Sequence, residues 1–109
     1  MTAGGYQMQD VTEISEGFLN ELKRSLRVTT EKADTEVKDL VEAAVQDMYI
    51  TGVVSKGETD PLSRQAIKLY CKGHYGYDEN TERFIKSYES LRDSMALSGE
   101  YREESSDGS

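Results

Sequence analysis

Cys71 and His74 have the side chains from which metal sites and thiol nucleophiles are built, and they stand three positions apart. On a helix that spacing puts both on one side. A closed zinc site needs more converging donors, and a nucleophilic thiol needs a base that is itself oriented. The chain holds one Cys and one His in all, so the preferred reading is a small half-buried thiol and an imidazole near a helix end. Carboxylate pairs such as Asp39 and Glu42 fall on the polar side of a helical pattern, where a solvated face explains them. There is no G-x-x-x-x-G-K-[ST] and no G-x-G-x-x-G, and the glycines mark turns and helix ends. No catalytic, metal or cofactor-binding residue is assigned, and an enzyme is not expected.

A second constellation is charged. Arg64, Lys68 and Lys72 recur every four residues and form a basic stripe along one side of a helix. It is read either as a solvated side or as half of a subunit interface. In the second case it docks on the acidic side formed by Asp39, Glu42 and Asp47 of an identical neighbour. Opposite patches on different sides of one subunit favour head-to-tail contacts, which close into rings when the rotation allows. Exposed ion pairs are worth roughly 0–1 kcal/mol each, so they would set register while apolar contacts supply affinity. The alternative is a small helical DNA-binding regulator, with Arg64, Gln65 and Lys68 of a recognition helix reaching base edges.

Composition weighs against that alternative. The formal net charge is −8, whereas neutralising phosphates takes a surplus of Lys and Arg. The acidity is concentrated in residues 1–52, with ten acidic and five basic groups, and in residues 98–109, with four and one. At 109 residues the chain makes one domain. A hydrophobic content of 36% without Trp is thin for a self-sufficient globule, and suits a subunit that completes its burial in an oligomer. A single cysteine allows no internal disulfide and fits a reducing compartment. No apolar run approaches the roughly 18–20 residues of a membrane span, and no signal-peptide pattern opens the chain. A protein made in a cytoplasm and not associated with membrane is expected.

The elements that must position these groups are helical. Residues 1–14 have no sustained period and read as a flexible arm, gripped if at all through Tyr6, Val11 and Ile14. Ser15 caps a short helix with Phe18, Leu19, Leu22 and Leu26 inward, ending near Arg27. Asp34 is expected to cap the next, whose stripe is Val37, Leu40, Val41, Ala44, Val45 and Met48, with Gly52 as its stop. Val53-Val54 lies in a loop or a short strand. Asp60 and Pro61 open a third helix with Leu62, Ala66, Leu69, Tyr70 and Gly73 as its apolar face. Its end, Gly73-His74-Tyr75-Gly76-Tyr77, reads as a glycine–tyrosine corner. A last helix follows a turn at 78–81, with Phe84, Tyr88, Leu91 and Met95 inward. Residues 98–109 show no core face and read as an acidic tail, disordered when free. The fold expected is all-α, a small four-helix bundle-like domain over 15–97 between that arm and that tail.

Several segments, taken in order, resemble the head–tail connector (adaptor, or head-completion) proteins of tailed bacteriophages. They are Leu22-Lys23-Arg24-Ser25-Leu26-Arg27-Val28, Asp34-Thr35-Glu36-Val37-Lys38-Asp39-Leu40-Val41-Glu42-Ala43-Ala44, and Gly52-Val53. Pro61-Leu62, Ala66-Ile67-Lys68-Leu69-Tyr70, Tyr75-Gly76-Tyr77, Phe84 and Ser87-Tyr88-Glu89-Ser90-Leu91 complete the set. The resemblance implies a virion structural protein of the head–tail interface, assembled in the host cytoplasm after genome packaging. It implies a ring of roughly twelve copies under the portal protein, following the portal's symmetry. Such a ring extends the DNA channel, lets double-stranded DNA pass without specific binding, and docks a stopper or tail-completion protein. It implies no cofactor, no catalytic residue and no membrane.

Overall fold

The computed structural model of the protein describes residues 13–75 and 79–103. Among these residues there are four helices, α1 (Glu16–Leu26), α2 (Ala33–Ile50), α3 (Pro61–Tyr75) and α4 (Thr81–Ser98). Among the described residues there is no strand, and Val53-Val54 is loop. Tyr6 and Val11 of the expected arm, and Gly76 and Tyr77 of the expected corner, lie outside the described residues, whereas Ile14 packs against the first core cluster.

The helix ends follow from local chemistry. Ser15 caps α1, its Oγ accepting from the Phe18 N–H at 3.1 Å. Glu58 in turn accepts from both the N–H and the hydroxyl of Ser15, at 3.1 and 2.9 Å. Asp60 caps α3, accepting from the Ser63 N–H at 2.9 Å, with Pro61 at the first helical position. Asp34 is not the cap of α2, a correction to the sequence reading. The Ala33 and Asp34 N–H groups donate to the carbonyls of Thr30 and Glu31, so a preceding turn satisfies them without a side chain. Asp34 sits in the first turn and pairs with Lys23 of α1 at 2.6 Å.

Two helices end in the same hydrogen-bond pattern with different residues. After α2, Gly52 at φ +96° donates to Tyr49 and Val53 donates to Met48, which is a Schellman motif. After α1, Arg27 takes the glycine's place at φ +62°, with Arg27 donating to Arg24 and Val28 to Lys23. A left-handed conformation costs an L-residue roughly 1–2 kcal/mol, against roughly 0.5–1 kcal/mol of extra chain entropy for glycine. Arg27→Gly is therefore expected to stabilise the fold by about 0.5–1 kcal/mol, read as a rise in thermal midpoint of about 2–6 °C. An unchanged or lowered midpoint would show that the arginine side chain compensates for its backbone.

The helices pack as an antiparallel series. The Tyr75 hydroxyl near the end of α3 reaches Glu36 near the start of α2, at 3.4 Å. At the other end, Met48 of α2 and Ala66 of α3 share a cluster. Gly73, near the end of α3, abuts Ile85 in the second turn of α4, while Tyr101 beyond α4 bonds Asp60 at the start of α3. Consequently α2 and α4 run parallel to each other on either side of α3, and α1 lies on α2 and α3.

Two apolar clusters fill the interior. One joins Phe18, Leu19, Leu22 and Leu26 of α1 to Val37, Val41, Ala44 and Val45 of α2 and to Ile67 and Cys71 of α3. The other holds Met48, Val53, Ala66, Tyr88, Met95 and Tyr101. Leu40, Leu69, Tyr70 and Leu91, expected in the core, are half-buried at its margins, and Phe84, also expected there, is half-buried beneath Lys72. Leu62 is a correction: it is 44% exposed. The inward side of α3 runs through Ser63, Ala66, Ile67 and Cys71, so the helix is rotated from its most apolar stripe and Leu62 falls outside it.

Gly73 keeps the place on the apolar face of its helix that the spacing gave it, and is not part of a corner. It is helical and buried, and a Cβ there would lie 2.6 Å from Ile85 Cγ1 and 3.2 Å from the Ile85 backbone nitrogen. The glycine is what lets α3 and α4 approach.

Candidate functional site

The charged constellation is rebuilt by the fold. Glu21, on α1, receives both Arg64 and Lys68 of α3, the latter at 2.7 Å. The Arg64 guanidinium also lies 4.6 Å from the Phe18 ring centre and donates to the Glu58 carbonyl. The Lys68 hydrogen bond, with both cations close by, holds the Glu21 carboxyl below its ordinary range despite some desolvation. Lys72 continues along the stripe, its Nζ 4.6 Å above the Phe84 ring.

The acidic half divides. Asp47 turns to α4, accepting from the Tyr88 hydroxyl at 2.5 Å and from Arg92 Nη1 at 2.9 Å. Arg92 is 16% exposed and also bonds Asp93. Asp39 and Glu42 stay exposed on the outer side of α2. Of the six residues proposed for a subunit contact, Arg64, Lys68 and Asp47 thus have partners inside the subunit, Lys72 lies on an aromatic ring, and Asp39 and Glu42 face outward. A recognition helix is equally poorly served, since Arg64 and Lys68 are committed to Glu21.

Cys71 and His74 are not brought together as a reactive pair. Cys71 is fully buried in the first cluster, and burial pushes its thiol up to about 12. At that value the thiolate is scarce at neutral pH. His74 is exposed, stacked on Tyr70 with ring centres 3.9 Å apart, and its Nδ1 lies 2.9 Å from the Tyr70 carbonyl oxygen. Among the described residues no group of three or more His, Cys, Asp or Glu is placed to hold a metal.

Two tyrosines form an aromatic contact between α3 and α4. Tyr70 meets Tyr88 edge-on, with ring centres 5.2 Å apart and planes at 78°. Burial, reinforced by Asp47, raises the Tyr88 phenol well above its ordinary range.

Periodicity missed one site altogether. Tyr101, in the stretch read as tail, is 5% exposed. Its hydroxyl donates to Asp60 at 2.8 Å, its carbonyl accepts from the Val54 N–H at 2.6 Å, and Lys56 lies 4.6 Å from its ring centre. Tyr49 adds a bond to Glu103 at 2.9 Å. The signal was an aromatic residue isolated among acids, which carries no period. Residues 104–109 of the tail lie outside the described residues.

The surface offers shallow grooves and two conspicuous apolar side chains. A groove of about 480 Å³ between the end of α1 and the α3–α4 junction is shared by Arg27, Lys72 and Glu79, so opposite charges meet across it. Another, of about 540 Å³, runs along the outer side of α4. Ile50 and Leu97, each near the last turn of a helix, are 71% and 86% exposed. No helix among the described residues is long and apolar enough to cross a membrane. What the arrangement supplies is a braced helical unit with its reactive groups buried or paired and its outer faces available.

Comparison with known proteins agrees with a building block. Neither curated proteins nor solved structures include a match to the chain. A family profile described as "Phage connector protein" matches residues 18–102, from the first turn of α1 to just past Tyr101. The chain therefore belongs to the phage connector protein family, structural components of the virion at the junction of head and tail.

Proposed function

We propose that this connector assembles as a ring of roughly twelve copies beneath the portal protein, matching a symmetric partner with a symmetric assembly. In that position it extends the DNA channel and provides the platform on which a stopper or tail-completion protein docks. The observation that carries this reading is the family match across nearly all of the helical domain. The family is structural and not enzymatic. A net charge of −8 supports the channel role, because an acidic surface lets double-stranded DNA pass without adhering. Assembly in the host cytoplasm before incorporation in the virion completes the proposal.

The test mixes purified chain with purified portal and follows both by native mass spectrometry and electron microscopy. The expected product is a ring of this chain seated on one end of the portal. A chain that stays monomeric at high concentration and ignores the portal would overturn the proposal. A low-salt gel shift with duplex DNA is expected to show no complex.

A further inference from the structure

We infer that copies of this chain join through the outer face of α2 on one copy and the outer face of α4 on the next, side by side and parallel. The inference rests on the self-assembly proposed above and names the surfaces that perform it. On α2, Glu36, Asp39, Ala43 and Ile50 follow one another at steps of three, four and seven residues. On α4, Arg83, Lys86, Ser90 and Leu97 follow at the same steps. Such steps keep each set on one side of its helix, along about 21 Å of axis.

Laid parallel in this register, the two faces agree at every level. Glu36 meets Arg83 and Asp39 meets Lys86, so two acids face two cations. Ala43 meets Ser90, a small residue against a small one, where the helix axes can come close. Ile50 meets Leu97, pairing two large apolar side chains that are 71% and 86% exposed in the isolated subunit. Ser87, Ser90 and Ser94 line the groove along α4 that would receive the neighbouring helix.

The competing arrangements fail on the same residues. An antiparallel pairing sets Ile50 against Arg83 and Leu97 against Glu36. Pairing α2 with α2, or α4 with α4, opposes like charges when parallel and sets Ile50 against Glu36, or Leu97 against Arg83, when antiparallel. Only weak internal contacts have to yield. Lys86 meets Glu82 at 3.9 Å with both side chains at least 75% exposed, and Glu36 accepts from Tyr75 at 3.4 Å. Since α2 and α4 already run parallel within a subunit, the contact repeats with every copy pointing the same way. A heterologous contact of this kind generates a ring when its rotation closes.

Charge reversal and cross-linking test the contact. Asp39→Lys and Lys86→Asp are each expected to weaken self-association at least about tenfold in sedimentation velocity, and the double variant to regain most of it. For the apolar end, Ile50→Cys and Leu97→Cys are made as separate chains, with buried Cys71 left in place. Oxidised by copper phenanthroline, neither alone should cross-link, while their mixture should give a disulfide-linked dimer. If the unmodified chain never self-associates, the assembly reading itself fails. If it assembles but the reversals change nothing and the mixture yields no dimer, assembly stands and this contact is wrong.

Discussion

Gly73→Val is expected to cost about 3 kcal/mol, because it puts a branched side chain where α3 and α4 already touch. Even the first added carbon would lie 2.6 Å from Ile85 Cγ1 and 3.2 Å from the Ile85 backbone nitrogen. The side-chain atom can move; the backbone atom moves only with its helix. Gly73→Ala is the graded control: its better helix propensity returns about 1 kcal/mol, so a net loss near 1 kcal/mol is expected. Ile85→Ala removes the Cγ1 and should make Gly73→Ala cheaper, a non-additivity that urea titration of the cycle measures directly. If Gly73→Val unfolds at the same urea concentration as the unmodified chain, the close approach of α3 and α4 does not exist as described. Because α4 leans chiefly on α3, the same substitution should also reduce any assembly that uses the outer face of α4.

That glycine marks where sequence reading stops. A glycine near the end of an apolar period signals either a helix stop or a close approach, and the chain does not say which. Gly52, with φ +96° and two closing hydrogen bonds, is the stop; Gly73 is the approach. Ser15 and Asp60 were legible as caps because capping is local chemistry, with donor and acceptor within three residues. Asp34 has the right type but not the role, since the carbonyls of Thr30 and Glu31 take it. Arg27 gives no sign of its left-handed backbone, because nothing in an arginine advertises φ +62°.

The charged residues show the same limit at longer range. A four-residue spacing correctly put Arg64, Lys68 and Lys72 on one side of α3, but their partners depended on which helix lies there. Glu21 is 43 residues from Arg64, and the pairing of Asp47 with Arg92 spans 45. Neither separation leaves a local trace. Small polar residues mislead in the opposite direction. Ser55 and Ser63 are buried, and their hydroxyls accept from the N–H groups of Gly57 and Lys56 in the loop before α3. Counting only apolar residues therefore rotated α3 toward Leu62. The helices were legible from period, and the contacts between them were not.

Tyr101→Ala is expected to cost about 3 kcal/mol, as removal of a buried aromatic side chain does. It vacates a position in the second cluster and leaves Asp60 without one of its donors. Tyr101→Phe isolates the hydroxyl and should cost about 1 kcal/mol at neutral pH, since the Ser63 N–H still serves the carboxylate. Its pH dependence is the sharper test. Burial alone would raise the Asp60 carboxyl, but the Ser63 N–H, the Tyr101 hydroxyl and the nearby Lys56 outweigh it and hold the group below its ordinary range. A depressed carboxyl stabilises the fold above its unfolded value of about 3.9, and that contribution disappears as pH falls through the folded value. The penalty of Tyr101→Phe should therefore shrink as pH drops from about 4 through the depressed folded value, beneath which the acceptor is protonated with or without the hydroxyl. At the alkaline end the sign reverses. Burial and Asp60 raise the Tyr101 phenol to about 12, so its contribution is intact below the unfolded value near 10 and is lost as pH rises toward 12. Tyr101→Phe should flatten that limb in part, because Tyr88, also raised, remains. Urea midpoints measured from pH 3 to 11 decide the matter. A penalty independent of pH would mean that the hydroxyl does not bond Asp60, and that the Tyr101 side chain is held by its ring alone.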